Sequence, residues 1–244
     1  MSMYTRTQVL TVIMVITMSV LLVSPSQGRK HEATIDVSGG RGYVMMGTSM
    51  LDIDELNTSL SNAGYSELSD NFFTLGGGGH AIINRIIIGG EGHGLMADET
   101  TTGNYTVSLT GGYGLVNVGY LIFSRGGFHL YPLLGIGGGA IDLKIHEREA
   151  PSFDEILDDP KRGSELSTGG FLLNVSIGAD HLFILGGDEE GEGGLVLGLR
   201  AGYTFTPIKG DWNMYDMDVG GGPDIGITGP YFHLMLGGGG VSLE

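Results

Sequence analysis

The chain has 244 residues, enough for one ordinary domain, with 12 Lys plus Arg set against 28 Asp plus Glu and no cysteine. Disulfides, thiolate metal sites and thiol nucleophiles are therefore excluded, and so acidic a chain is unsuited to neutralising nucleic-acid phosphates. Glycine accounts for 46 residues, without a collagen period and inside apolar runs such as LLGIGGGAIDL; glycine within strands fits a narrow closed barrel, where backbones and lumen side chains crowd together.

Residues 1–28 read as a cleaved export signal. Arg6 provides the positive start, Val9 to Val23 an apolar run of about 15 residues, shorter than the roughly 20 of a spanning helix, and Ser26-Gln27-Gly28 a small-residue cleavage site. Residues 29–40 form a lead-in. The barrel domain is expected over 41–244. No apolar run after residue 28 approaches a spanning helix, so a membrane could be crossed only by a closed barrel.

Eight extended segments follow, at 41–48, 72–81, 84–95, 104–122, 126–145, 167–184, 193–206 and 227–240, with one helical stretch at 51–63 that is acidic at its start. In the fourth segment Tyr105, Val107, Leu109, Tyr113 and Leu115 alternate with Thr106, Ser108, Thr110, Gly112 and Gly114. In the sixth, Phe171, Leu173, Val175, Ile177 and Ala179 alternate with Leu172, Asn174, Ser176, Gly178 and Asp180. In the seventh, Leu195, Leu197, Leu199, Ala201, Tyr203 and Phe205 alternate with Val196, Gly198, Arg200, Gly202 and Thr204. Large apolar against small or polar is the pattern of a lipid-facing wall and a crowded lumen; a soluble secreted or periplasmic lipocalin-like barrel, binding a small apolar ligand, would have the same alternation with the faces inverted, and the alternation alone does not decide between them.

Connections of about 23, 8, 21 and 20 residues alternate with connections of about 2, 3 and 8, which collects the long loops at one end and both termini at the other. With the long loops on top, Phe72, Phe73, Tyr105, Phe171, Tyr203, Phe205, Tyr231 and Phe232 form an expected upper belt. Tyr43, Tyr120, Phe123, Phe128, Tyr131 and Phe183 form a lower one, and Tyr113 lies mid-strand. The expectation is an all-β, eight-stranded, antiparallel up-and-down transmembrane barrel with a helical insert in its first long loop, placed in an outer membrane.

On this topology residues 41–240 resemble the small eight-stranded outer-membrane barrels of the OmpA-transmembrane and OmpX-like group, and the stretches GGYGLVNVGYLIFSRGGFHLYPLLGIGGGAIDL and GDWNMYDMDVGGGPDIGITGPYFHLMLGGGG share that character. The resemblance implies a lumen filled by paired charges. One departure is the end of the chain, Val241-Ser242-Leu243-Glu244, where many such barrels carry a terminal aromatic.

Glu91, Asp180 and Arg200 fall on inward faces of three different strands, and buried charge has to be paired. They are read as a lumen cluster that plugs the barrel, with Arg200 reaching Glu91. His80, His93, His129, His181 and His233 are spread over five strands without HExxH, so neither a metal nor a catalytic set is assigned; the alternative of a lipid-modifying enzyme would need a Ser, a His and a carboxylate assembled at one rim. Asp211, Asp216 and Asp218 form an oxygen-rich loop cluster that could take a divalent cation weakly, though the spacing is not that of an EF-hand. The glycine runs at 76–79, 137–139 and 237–240 lack the lysine and helix of a phosphate loop. Glycosylation sequons occur at Asn57, Asn104 and Asn174. The reading is non-enzymatic and cofactor-free. Its partners are membrane lipid and a surface contact at the long acidic loops, the 51–63 helix being the expected contact element.

Overall fold

The computed structural model describes residues 38–148, 152–158, 163–187, 191–215 and 217–242. The export signal expected at 1–28 lies outside them. In chain order the elements are β1 (Ser38–Met50), α1 (Asp54–Asn62), β2 (Asn71–Ile83), β3 (Ile86–Met96), β4 (Thr100–Thr102), β5 (Tyr105–Tyr120), β6 (Phe123–Arg125), β7 (Phe128–Glu147), α2 (Phe153–Asp158), β8 (Gly163–Gly187), β9 (Gly191–Lys209), β10 (Trp212–Met214), β11 (Met217–Val219) and β12 (Gly229–Ser242). The short β4, β6, β10, β11 and α2 carry no periodic signal in the sequence.

Among the described residues eight long strands, β1, β2, β3, β5, β7, β8, β9 and β12, pair antiparallel with their neighbours, and β12 returns to β1, so the sheet closes on itself. Closure leaves no edge within the ring. The registers also fix its shear. From Gly39 the paired residues run Ile82, Ile87, Gly119, Leu133, Ser176, Gly202 and Tyr231, and the path re-enters β1 at Ser49, ten residues further on. With strands about 4.8 Å apart and a rise of about 3.3 Å per residue, that displacement tilts the strands by about 40° and sets a backbone radius of about 8 Å. Such a lumen is filled by side chains.

Turns at the lower end are tight. Asn84 and Arg85 both have positive φ, 48° and 71°, which is the two-residue turn that matches strand twist. Arg85 holds this unfavourable conformation with its guanidinium bonded to the Leu121 carbonyl at 3.0 and 3.1 Å and set over the Tyr120 ring at 5.6 Å.

Strand faces settle the alternation. In β8 the outward set is Phe171, Leu173, Val175 and Ile177, and in β9 it is Leu195, Leu197, Tyr203 and Phe205, all exposed, with Asn174, Ser176, Asp180, Arg200 and Thr204 buried inside. β5 departs from this pattern. Its large apolar residues Val107, Leu109, Tyr113 and Leu115 are buried inside the barrel, while Val116 and Val118 are exposed on the other face. Tyr113 and Leu115 pair with His93 and Glu91 of β3 and fill the lumen; for Val107 and Leu109 the reason is height. The upper ends of β5, β7 and β8 pair with one another beyond the last ring pairing of β3, Met96 with Thr110. Up there the inside is a protein core and the outside is polar, with Asp142, Lys144, His146, Glu165 and Ser167 outward. The phase of the alternation therefore reverses along a single strand.

Candidate functional site

Three layers fill the barrel. The top is an apolar cap. Leu51, Ile53, Leu56 and Leu60 from the first loop meet Val107, Leu109, Ile141 and Leu143 of the raised strands and Trp212, Ile225 and Ile227 of the last loop. Helix α1 presents Leu56 and Leu60, one turn apart, into this core and leaves a polar face outside, so the expected contact element is also a lid over the barrel mouth. The loops are stitched together. Asn57 and Leu68 exchange two hydrogen bonds of 2.8 and 3.0 Å, the Asp224 amide donates to Glu55 at 3.0 Å, and Trp212 Nε1 donates to the Pro223 carbonyl at 2.8 Å.

The middle layer holds the charges. Arg200 donates through Nη1 to Glu91 across the lumen and through Nη2 to the Tyr43 hydroxyl at 2.9 Å. Tyr43, already accepting that bond, turns its hydrogen to His80 Nδ1 at 3.2 Å, which makes Glu91, Arg200, Tyr43 and His80 one chain. Asp180 lies elsewhere. Its Oδ1 is 3.5 Å from Arg41 Nε and 3.6 Å from His129 Nδ1, and Arg41 Nη2 donates to that same histidine nitrogen at 3.1 Å. Arg41 also donates to the Gly240 carbonyl at 2.8 Å. The three charges named from sequence thus form two separate groups. The residue that completes the second, Arg41, was missed because it sits at the first position of its predicted strand. Each group sets one arginine against one carboxylate, which keeps the interior near neutral.

Above Glu91 four rings stack. Tyr113 lies 4.8 Å from His93, His93 4.6 Å from His233 at an interplanar angle of 19°, and His233 4.6 Å from Tyr231. Glycine makes the room. A methyl group at Gly47 would come within 2.9 Å of His233 Cδ2, and one at Gly76 within 2.5 Å of His93 Nδ1. The bottom layer is apolar again, with Ile82, Ile87, Leu121, Tyr131 and Leu133 packed together.

The strand histidines are accounted for in these terms: His80 in the tyrosine chain, His93 and His233 in the stack, His129 with Arg41, and His181 outside against Phe183 at 4.5 Å. Of the sequon asparagines, Asn174 is buried, donating to Thr204 at 3.0 Å, and Asn57 is committed to Leu68. Asp216 lies outside the described residues; Asp211 and Asp218 are exposed, and among the described residues no set of three His, Asp or Glu is arranged for a metal ion.

Outside, an apolar wall is bounded by rings. Val44, Met46, Val116, Leu134, Ile136, Val175, Ile177, Leu197, Leu234 and Leu236 are all about half exposed. Phe73, Phe171, Tyr203, Phe205 and Phe232 ring its upper margin, and Tyr120, Phe123, Phe128 and Phe183 its lower one. Phe72, Tyr231, Tyr43 and Tyr131, assigned to the belts from sequence, instead point inward, and Tyr105 stands above the belt against Tyr65 at 6.0 Å. At the strand rise and tilt, Phe171 and Phe183 are about 30 Å apart along the barrel axis.

No protein-family model and no curated protein sequence matches the chain. Among solved structures, it is similar to Ail, the attachment invasion locus protein of Yersinia pestis, at 13% identity over 84% of this chain and 97% of that one, with a TM-score of 0.41. It is also similar to the Neisserial surface protein A, at 10% identity over 84% and 97%, TM-score 0.35, and to the outer-membrane protease OmpT of Escherichia coli, at 10% identity over 88% and 99%, TM-score 0.32.

Proposed function

We propose that the chain is a plugged outer-membrane β-barrel, exported by the cleaved signal at 1–28, that works without catalysis as an envelope and surface-contact protein. The observation that carries this reading is the half-exposed apolar wall held between two aromatic rings. Left in water, a wall of that extent would be an aggregation surface; against hydrocarbon about 30 Å thick it is matched to its solvent. The change to Asp142, Lys144, Glu165 and Ser167 directly above the upper ring supports the same boundary. A soluble barrel with an apolar ligand would need its apolar side chains around an open lumen, and here the lumen is occupied by paired arginines, stacked rings and two apolar layers.

The surface offered outward is acidic. Asp52, Asp54, Glu67, Asp98, Glu99 and Asp218 are exposed, and α2 displays Phe153 and Leu157 beside Asp154 and Asp158. Serine 152 and Glu155 cap α2 reciprocally, the Ser152 amide donating to Glu155 Oε2 at 2.8 Å and the Glu155 amide to Ser152 Oγ at 3.3 Å. Fractionation of expressing cells tests the assignment: the protein should stay in the outer-membrane pellet until detergent is added, and release into the soluble fraction without detergent overturns it. Planar-bilayer recording tests the plug, which a large steady conductance would contradict.

A further inference from the structure

The stacked imidazoles of His93 and His233 lie buried inside the barrel at the base of the cap, beside the Glu91–Arg200 pair. Their ring nitrogens are buried without hydrogen-bond partners, apart from His93 Nε2 lying 3.6 Å from Glu91 Oε1. The stack is continuous with the lid, because Tyr113, which covers the outer face of His93, is itself a member of the apolar cap core. We propose that the His93–His233 pair is an acid-sensitive latch: when both rings become charged, the stack breaks and the loop cap above it loosens.

The charge environment explains why two protons cannot be absorbed. From β3, Glu91 faces the pair, but it already serves Arg200, which enters from β9 opposite His233 in the register. β5 supplies Tyr113, β12 supplies Tyr231, whose hydroxyl donates to Asn174 of β8 at 3.1 Å, and β1 supplies Tyr43, bound to Arg200. β2 brings Thr74 and Gly76 to this height. One imidazolium can share Glu91. A second would sit 4.6 Å from the first, beside Arg200, in a low-dielectric interior with no further carboxylate at that level among the described residues. In water an imidazole takes up its proton in the mildly acidic range, so acid favours the loosened state in which water reaches the two rings, which gives the latch its trigger.

The protein carries its own reporter. Its single tryptophan, Trp212, lies in the cap with 5% of its surface exposed. The experiment follows Trp212 emission and acrylamide quenching of the refolded full barrel in detergent micelles, from about pH 7.5 to about pH 4.5. The wild type should shift to the red and quench several-fold more readily at the acid end. The double variant His93→Phe/His233→Phe keeps two stacked rings that cannot charge, and its emission should stay put. An unchanged wild-type signal overturns the latch. So does an equal shift in the double variant, which would assign the effect to carboxylates of the cap loops. If the double variant fails to give the compact gel migration of a folded barrel, His233→Phe alone, which leaves at most one charge to place, is read by the same two outcomes.

Discussion

Arg200 and Glu91 meet across the lumen from β9 and β3, each with 1% of its side chain exposed, and their contact joins opposite walls of the barrel. Neither charge has water to return to. Removing one partner strands the other, and for buried pairs that costs about 3–5 kcal/mol, whereas replacing both with apolar groups of similar volume is often neutral. Arg200→Met or Glu91→Leu alone should therefore lower unfolding stability in detergent by about 3–5 kcal/mol. The double variant should recover most of the loss. Denaturant titration followed by gel migration measures all three, and additive losses in the double variant would sink the pairing.

The outward wall makes a prediction that depends on height. Val175→Arg places a cation in the middle of the apolar band and should cost about 2–4 kcal/mol when the barrel unfolds from lipid vesicles, while Ser167→Arg, on the same strand above Phe171, should cost about 0–1 kcal/mol. Equal costs at the two sites would contradict the membrane boundary placed at Phe171.

The strands, their order and the polarity of their loops were legible in the sequence because β8 and β9 keep one phase of alternation across the apolar band. β5 was not legible in the same way. Its upper half leaves the band, so Val107 and Leu109 face a protein core where Val116 and Val118 face lipid, and reading large apolar residues as outward sends Val107, Leu109, Tyr113 and Leu115 to the wrong side. The same limit applies to Phe72, Tyr43, Tyr131 and Tyr231: belt height can be read from position in a strand, but facing needs the register. Of the lumen charges, Glu91, Asp180 and Arg200 were visible because they interrupt apolar or glycine runs. Their division into two groups was not, since it follows from the ten-residue shear that carries Arg41 to Asp180, and shear is a property of closure.

Gly178 tests how tightly the lower lumen is filled. A Cβ there would lie 2.8 Å from Tyr131 Cζ, and Tyr131 is fully buried on the neighbouring strand. Gly178→Ala should destabilise the barrel by about 1–3 kcal/mol through overpacking. Adding Tyr131→Val should relieve the clash, so that the second substitution, harmful on its own as a cavity, becomes less harmful in the alanine background. A thermodynamic cycle over the four proteins checks this by the sign of the coupling.

The lid can be separated from the barrel. Leu60 of α1 is buried in the cap, 4% exposed, while the ring of eight strands closes below it through its own backbone pairing. Leu60→Ala leaves a cavity, at a local cost of about 2–5 kcal/mol. That loss falls on the loops, whose hydrogen bonds include those between Asn57 and Leu68, Asp52 and Thr228, Ser66 and Thr102, and Asp224 and Glu55. The variant should therefore show redder and more quenchable Trp212 emission and faster protease cleavage in the 51–70 loop. Its gel migration as a folded barrel and its denaturation midpoint should remain close to wild type. Loss of the folded-barrel band on Leu60→Ala would mean that lid and barrel form one cooperative unit, and that the cap core holds the ring closed as well as covering it.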